Sequence, residues 1–306
     1  MRILAGYKGG VFDERIVEIY NKTVNCMGEP VVRYRSVEEF RSLWLNYSTY
    51  RPENMGILVY AGTPVAFVYV SMPGDRVGIH LYYDTDQPDS IIIRADEKLV
   101  SWALWKAREY RASIAYVSAG CMYSPLYMFL SRLLPSRLLR CWGHSMIYSG
   151  EPMEPPHVEG IVVRRAGPED ARYVVEVYND AFRGYPWFEE WREEDAVKWY
   201  RSRRLDLFIA FDEETGEAVG FVDGEYRVDG MGRKYGYVYT LAVKNKYRGR
   251  GIGKLLLRTL TNYYLTHGAY AVLLDAVGGV EKFYLANGFK ILCRRVAYIL
   301  HTITIT

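Results

Sequence analysis

Leu241-Ala-Val-Lys-Asn-Lys-Tyr-Arg-Gly-Arg-Gly-Ile-Gly-Lys-Leu-Leu256 is the stretch on which the fold turns. Its first residues close an apolar run that begins at Tyr235 and predicts a strand. From Ile252 onward, apolar residues recur at Leu255, Leu256, Leu260 and Tyr263, which is helical spacing. Between strand and helix lies Arg248-Gly-Arg-Gly-Ile-Gly253. Its glycines leave backbone amides uncovered at a helix start, where unpaired donors and partial positive charge favour an anion. Arg248, Arg250 and Lys254 add positive charge, so the segment is suited to a pyrophosphate. The spacing is not that of a P-loop, which needs G-x-x-x-x-G-K-[ST]. Nor does the loop open a parallel βαβ unit, as a dinucleotide fingerprint would. It follows three strands that read as an antiparallel meander.

Those strands run over 207–211, 218–228 and 235–243, joined by the turns 212–216 and 229–232. Upstream, a strand over 161–165 precedes a helix opened by Pro168-Glu-Asp170, and a second helix covers about 191–201. Downstream come a strand over 270–274, a short helix around 280–285 and final strands over 289–305. Residues 151–160 carry three prolines and read as a linker. The half before it repeats the same order. Val17-Glu-Ile-Tyr-Asn21 matches Val175-Glu-Val-Tyr-Asn179, and Val65-Ala-Phe-Val68 matches Val219-Gly-Phe-Val222. The helix from Lys98 matches the helix from Lys254. The near-constant offsets predict a duplication.

Arg248-x-x-Gly251-x-Gly253 resembles the R/Q-x-x-G-x-G/A motif of the GNAT superfamily of acyl-CoA-dependent N-acyltransferases. Phe283-Tyr284-Leu-Ala-Asn-Gly288-Phe289 resembles the family's second hallmark. The likeness covers residues 160–306. It implies an α/β (α+β) protein of two tandem GNAT folds, each a mixed, mostly antiparallel sheet flanked by helices. Residues 1–150 would be a degenerate copy, 151–160 the linker and 161–306 the catalytic domain. The co-substrate implied is acetyl-CoA. Leu241, Ala242 and Val243 would hold the pantetheine arm, and Arg248, Gly249, Arg250, Gly251, Ile252, Gly253 and Lys254 the pyrophosphate. Tyr284 would protonate the departing thiolate. The acceptor implied is a primary amine, on a small molecule or a protein, attacking directly in a ternary complex.

The strand before the loop lacks the carboxylate that many members use as a base. Asp223 and Glu225, on one face of the neighbouring strand, are the candidates, ahead of Asp275. Tyr237 and Tyr239 share a face and would position water. Tyr185, Trp187 and Phe188, between the first two helices, would wall the acceptor site or else pack as core. In the first half the glycine loop falls on Ile92-Ile-Arg-Ala-Asp-Glu97, where Asp96 and Glu97 would repel a pyrophosphate, and Leu130 stands near the Tyr284 position. Two other readings fit the same fold: a sensor that binds acyl-CoA without turnover, and an aminoacyl transferase.

Composition sets the remaining bounds. The 306 residues carry 39 basic and 36 acidic side chains, a net charge of +3, which does not mark a nucleic-acid binder. No apolar run is long enough for a membrane span, and the N-terminus shows no signal sequence. The four cysteines have neither metal-ligand spacing nor a disulfide pattern. The expectation is a cytoplasmic monomer or homodimer with no metal. A single glutamine, Gln87, suggests a thermophilic source.

Overall fold

The computed structural model describes residues 1–26, 34, 36–46, 50–71, 76–122, 124–185, 188–203, 205–229 and 232–301. The chain forms two compact units. One holds residues 1–142 with the C-terminal stretch from Arg294, and the other holds 143–293. This division differs from the expected boundary at 151–160, because the last strand of each half belongs to the other unit.

The first unit begins with β1 (Arg2–Ala5), α1 (Asp13–Cys26) and α2 (Val37–Phe40). It continues with β2 (Met55–Tyr60), β3 (Thr63–Ser71), β4 (Arg76–Tyr83), α3 (Asp89–Glu109), β5 (Ile114–Cys121) and α4 (Pro125–Leu133). β6 (Leu139–Tyr148) leads into the second unit. There follow β7 (Ile161–Ala166), α5 (Ala171–Phe182), α6 (Glu193–Arg203), β8 (Asp206–Asp212), β9 (Ala218–Val228) and β10 (Lys234–Val243). The chain ends with α7 (Ile252–Thr266), β11 (Val272–Val277), α8 (Glu281–Ala286) and β12 (Lys290–His301). The element order repeats, as the duplication predicts. In each unit two antiparallel hairpin steps lead to one parallel pair, β4 with β5 and β10 with β11. Residues 295–301 of β12 complete the first sheet beside β5, and residues 143–148 of β6 complete the second beside β11.

A local detail supports common descent of the halves. The Asn21 side chain closes a pair of hydrogen bonds with the backbone of Tyr34, at 2.9 and 3.0 Å. Asn179 does the same with Trp191, at 3.0 and 2.9 Å. The preceding tyrosines pack on the same partners, Tyr20 on Tyr34 at 4.7 Å and Tyr178 on Trp191 at 4.5 Å between ring centres.

The expected linker has no regular structure, yet it is tied down within the second unit. Asn262 of α7 bonds the Met153 amide at 2.7 Å and Arg258 bonds the Glu154 carbonyl at 2.7 Å. β11 lies two to three residues later than expected, so Asp275 sits inside it. Among the described residues no helix is long and apolar enough to cross a membrane, and no group of three metal-ligating side chains occurs.

β9 builds two cores in the second unit, with a register shift that leaves Val219 as an extra residue opposite Ala210 and Phe211. Val219 and Val222 face α7, where Leu256, Leu257 and Leu260 are fully buried. Each such side chain contributes about 1.5–3 kcal/mol. Ala218 and Phe221 face α5 and α6, packing with Val174, Val177 and Ala196. α7 approaches the sheet closely because Gly224 and Gly236 make room for Tyr264; a Cβ on Gly236 would lie 2.2 Å from its ring.

One irregularity positions everything downstream. The β9–β10 register slips between Val238 and Thr240, so Tyr239 is an extra residue in a bulge. β10 pairs with β11 only from Gly236 to Val238. Past the bulge its only strand partner among the described residues is β9. The Thr240 amide donates to the Asp223 carboxylate at 2.8 Å, and the Tyr200 hydroxyl of α6 donates to its second oxygen at 2.6 Å. Asp223 is wholly buried, and that burial pushes its pKa up to about 6 against these hydrogen bonds.

In the first unit Asp96 is likewise buried and raised to about 6, with the Tyr83 hydroxyl bonded to it. This corrects the expectation for Ile92–Glu97. The run lies inside α3, whose helical hydrogen bonds occupy its amides, and Asp96 turns into the core. The Lys98 match fails in depth for the same reason: Lys98 lies well inside α3, whereas Lys254 lies in the first turn of α7.

Both raised carboxyls bind a proton more tightly folded than unfolded. Each therefore stabilises the fold fully below its unfolded pKa of about 4, and that contribution is lost as pH rises through about 6. Asp223→Asn should remove one such step, on the order of 1–3 kcal/mol, from the stability curve between those values. Urea midpoints measured across that range check it; identical slopes for variant and wild type would contradict it.

Candidate active site

The site is assembled where β10 leaves β11 and runs into the glycine loop. Residues 239–243 have an open edge on the β11 side. Leu241 and Val243 are half-buried along it, and Ala242 is buried against the α5 face. The strand ends where the Lys244 amide reaches the Val219 carbonyl at 2.9 Å. A turn of 3-10 helix over Asn245–Tyr247 follows. Gly249 and Gly251 take left-handed backbone angles, φ +77° and +87°, and Gly251 caps α7 without a side-chain bond. Only glycine adopts these angles without strain.

The first bond into the helix runs from the Leu255 amide to the Gly251 carbonyl, at 3.0 Å. Before it, the amides of residues 249–254 donate to no backbone carbonyl among the described residues. A row of bare N–H groups at the start of a fifteen-residue helix is an anion cradle. Gly253 differs from the other two glycines in having no left-handed backbone angle, and a Cβ there would meet only ordinary contacts, 3.6 Å from Phe283.

The basic residues divide by role. Arg248 is turned back onto the protein, donating to the Ala181 carbonyl at 2.6 Å and the Val243 carbonyl at 3.3 Å. Arg250 and Lys254 remain at the surface of the loop, Arg250 lying over the Tyr247 ring. Lys244 is buried between Glu176 and Glu217, and Asn245 is bonded to Asp180 at 2.7 Å. α5 and the β8–β9 turn thus fix the loop from one side. Apart from Arg248 of the motif, none of these anchors carried a signal in the sequence.

Tyr284 lies on α8, 9 % exposed, against Phe283 and Phe289. Burial pushes its pKa up to about 12, so the phenol keeps its proton at neutral pH.

The candidate bases separate clearly. Asp223 is committed to the bulge, with both oxygens bonded and no exposed surface. Glu225 is also buried but belongs to a polar cluster. Its Oε1 accepts from the Tyr239 hydroxyl at 2.8 Å and from Arg227 Nε at 2.9 Å. Arg203 and Arg227 each donate to the Tyr239 hydroxyl at 2.8 Å. Burial raises the Tyr239 pKa, with the two guanidinium groups opposing. Tyr237 donates to Asp275 at 2.7 Å, and Ser145 donates to its other oxygen at 2.6 Å. Tyr237 and Tyr239 therefore join the two flanking strands across the point of divergence.

Of the residues gathered here the sequence singles out Glu225, Tyr237 and Tyr239 as candidates but not Arg227 and Arg203. Arg227 was within reach, because it continues the Asp223, Glu225 alternation on one face of β9. Arg203 lies at the end of α6 and gave no sign. Tyr185 and Phe188 are half-buried in an aromatic group, Tyr185 being 6.0 Å from Phe182 and Phe188 6.2 Å from Tyr178. Tyr185 also reaches within 3.9 Å of where a Gly278 Cβ would stand, just past β11. Trp187 lies outside the described residues.

Residues 172–289 match the acetyltransferase (GNAT) family. The chain is 35% identical over 109 residues to an uncharacterized N-acetyltransferase of Archaeoglobus fulgidus, covering 34% of this chain and 73% of that one. It is 31% identical over 160 residues to the mycothiol acetyltransferase of Mycolicibacterium vanbaalenii, 48% of this chain and 51% of that protein. The chain thus spans about half the length of this second relative. In fold it is similar to a tandem GNAT protein from the clavulanic acid biosynthesis pathway, with a TM-score of 0.67 over 98% of this chain and 97% of that one at 15% identity. Motif, loop geometry and relatives agree: the chain belongs to the GNAT family of acetyltransferases, built as two tandem GNAT folds.

Proposed function

We propose that the protein transfers an acetyl group from acetyl-CoA to a primary amine, using the second unit. The observation that carries this reading is the row of bare amides over 249–254 at the end of an open strand edge. The edge of β10 accepts an extended amide-bearing arm as a further strand would, through Leu241 and Val243. The bare amides with Arg250 and Lys254 hold the pyrophosphate, and Arg248, tied to Ala181, fixes the loop.

Bound there, acetyl-CoA supplies an activated thioester carbonyl. The amine nitrogen bonds to that carbon, the carbon–sulfur bond breaks, and the sulfur leaves as a thiolate. Tyr284 delivers the proton that neutralises it. The proton lost by the amine passes to Glu225 by way of water at the half-exposed Tyr239, whose hydroxyl is bonded to that carboxylate. Asp223 is a positioning group in this scheme, since it holds the bulge and has no exposed atom.

Two experiments test the reading. Replacing Gly249 and Gly251 together with valine forces side chains into left-handed backbone angles, and acetyl-CoA binding measured by calorimetry should be lost. Unaltered binding would remove the loop from the site. Tyr284→Phe should lower turnover by about 100-fold, within the range for loss of a general acid, while acetyl-CoA affinity stays unchanged. Wild-type chain that binds acetyl-CoA but releases no thiol with any amine would be a sensor instead.

A further inference from the structure

Arg203 is more deeply buried than its visible partners explain. Its side chain is 3 % exposed. One terminal nitrogen serves both the Tyr239 hydroxyl, at 2.8 Å, and Glu225, at 3.8 Å. Its Nε is buried and has no hydrogen-bond partner among the described residues. A guanidinium has five N–H donors in a fixed planar fork, and a buried donor left unpaired carries a desolvation cost. Glu225 lies closer to Arg227, at 2.9 Å, so the carboxylate that Arg203 shares is already engaged.

The group is also held flat and in place, with its centre 4.6 Å above the Trp199 ring and 5.7 Å from the Tyr239 ring. Tyr239 is the bulge residue and is half-exposed where β10 and β11 part. Arg203 therefore stands directly behind the half-exposed Tyr239, with donors to spare.

We propose that the acceptor amine carries an oxyanion, a carboxylate or a phosphate, and that Arg203 receives it. This rests on the acetyltransferase reading above and narrows the acceptor from amines in general to anionic or zwitterionic amines. The arrangement suits a planar fork more than a point charge, so lysine is an incomplete replacement.

The test uses the full chain and thiol release from acetyl-CoA with matched amines: amino acids against their amides, and O-phosphoethanolamine against ethanolamine. The expected result is a preference for the anion-bearing member of at least one pair, and which pair responds separates carboxylate from phosphate. Arg203→Gln should cut kcat/KM for that member by about 10- to 100-fold more than for its neutral counterpart, the worth of a charged hydrogen bond. Arg203→Lys should recover part of the loss, and acetyl-CoA affinity should be the same in all three proteins. Equal use of neutral and anionic amines, or an equal loss on both in the glutamine variant, would overturn the proposal and leave Arg203 a structural residue. Failure of acetyl-CoA binding in the wild type would overturn the acetyltransferase reading itself.

Discussion

The structure of the second unit depends on one hydrogen bond, from the Thr240 amide to the Asp223 carboxylate. The bulge at Tyr239 takes this amide out of the sheet ladder, and a buried amide without a partner is costly. Asp223 supplies the partner and is fastened in turn by Tyr200 of α6. Beyond the bulge β10 diverges from β11, and that divergence creates the open edge on which the cofactor-binding proposal stands. Tyr239 itself is turned toward Glu225, Arg203 and Arg227. The same irregularity thus sets both the edge proposed for the donor and the polar cluster proposed for the acceptor.

The two units differ at the turn that follows the third meander strand, where the second carries the proposed phosphate cradle. The Asp84 amide bonds the Val65 carbonyl at 2.9 Å, as the Lys244 amide bonds the Val219 carbonyl at 2.9 Å, so the two residues hold equivalent places after the third meander strand. Their charges are opposite. Lys244 is buried between two glutamates, whereas Asp84 is buried against Arg15 and Lys22 of α1. After Lys244 come glycines and bare amides. After Asp84 come Asp86, Pro88 and Asp89, and α3 begins almost at once. Acids do surround the vestigial helix start, but they are these residues and not Asp96 and Glu97.

Much of this was legible in the sequence because it rests on local rules. The glycine loop, the meander and the apolar stripe of α7 each follow from spacing within a few residues. The two family motifs fixed the fold, and the place of Tyr284 before Gly288-Phe289 marked it among 28 tyrosines. What escaped depends on pairing between distant residues. Asp223 and Glu225 look alike on one strand face, yet the bulge gives one a structural bond and the other a place beside Tyr239. Arg203 acquires meaning only when the end of α6 meets β9 and β10. The exchange of last strands leaves no trace in composition, since β6 and β12 mix apolar and polar residues in no pattern that names a partner. Asp96 was misplaced because an ungapped offset carried the loop of one half onto the helix of the other.

The central claim is that donor binding resides in the row of backbone amides over 249–254 that the second unit leaves bare. Titration of the full chain with acetyl-CoA in a calorimeter addresses it directly. The account predicts one site per chain. Two equivalent sites, or none, would contradict it.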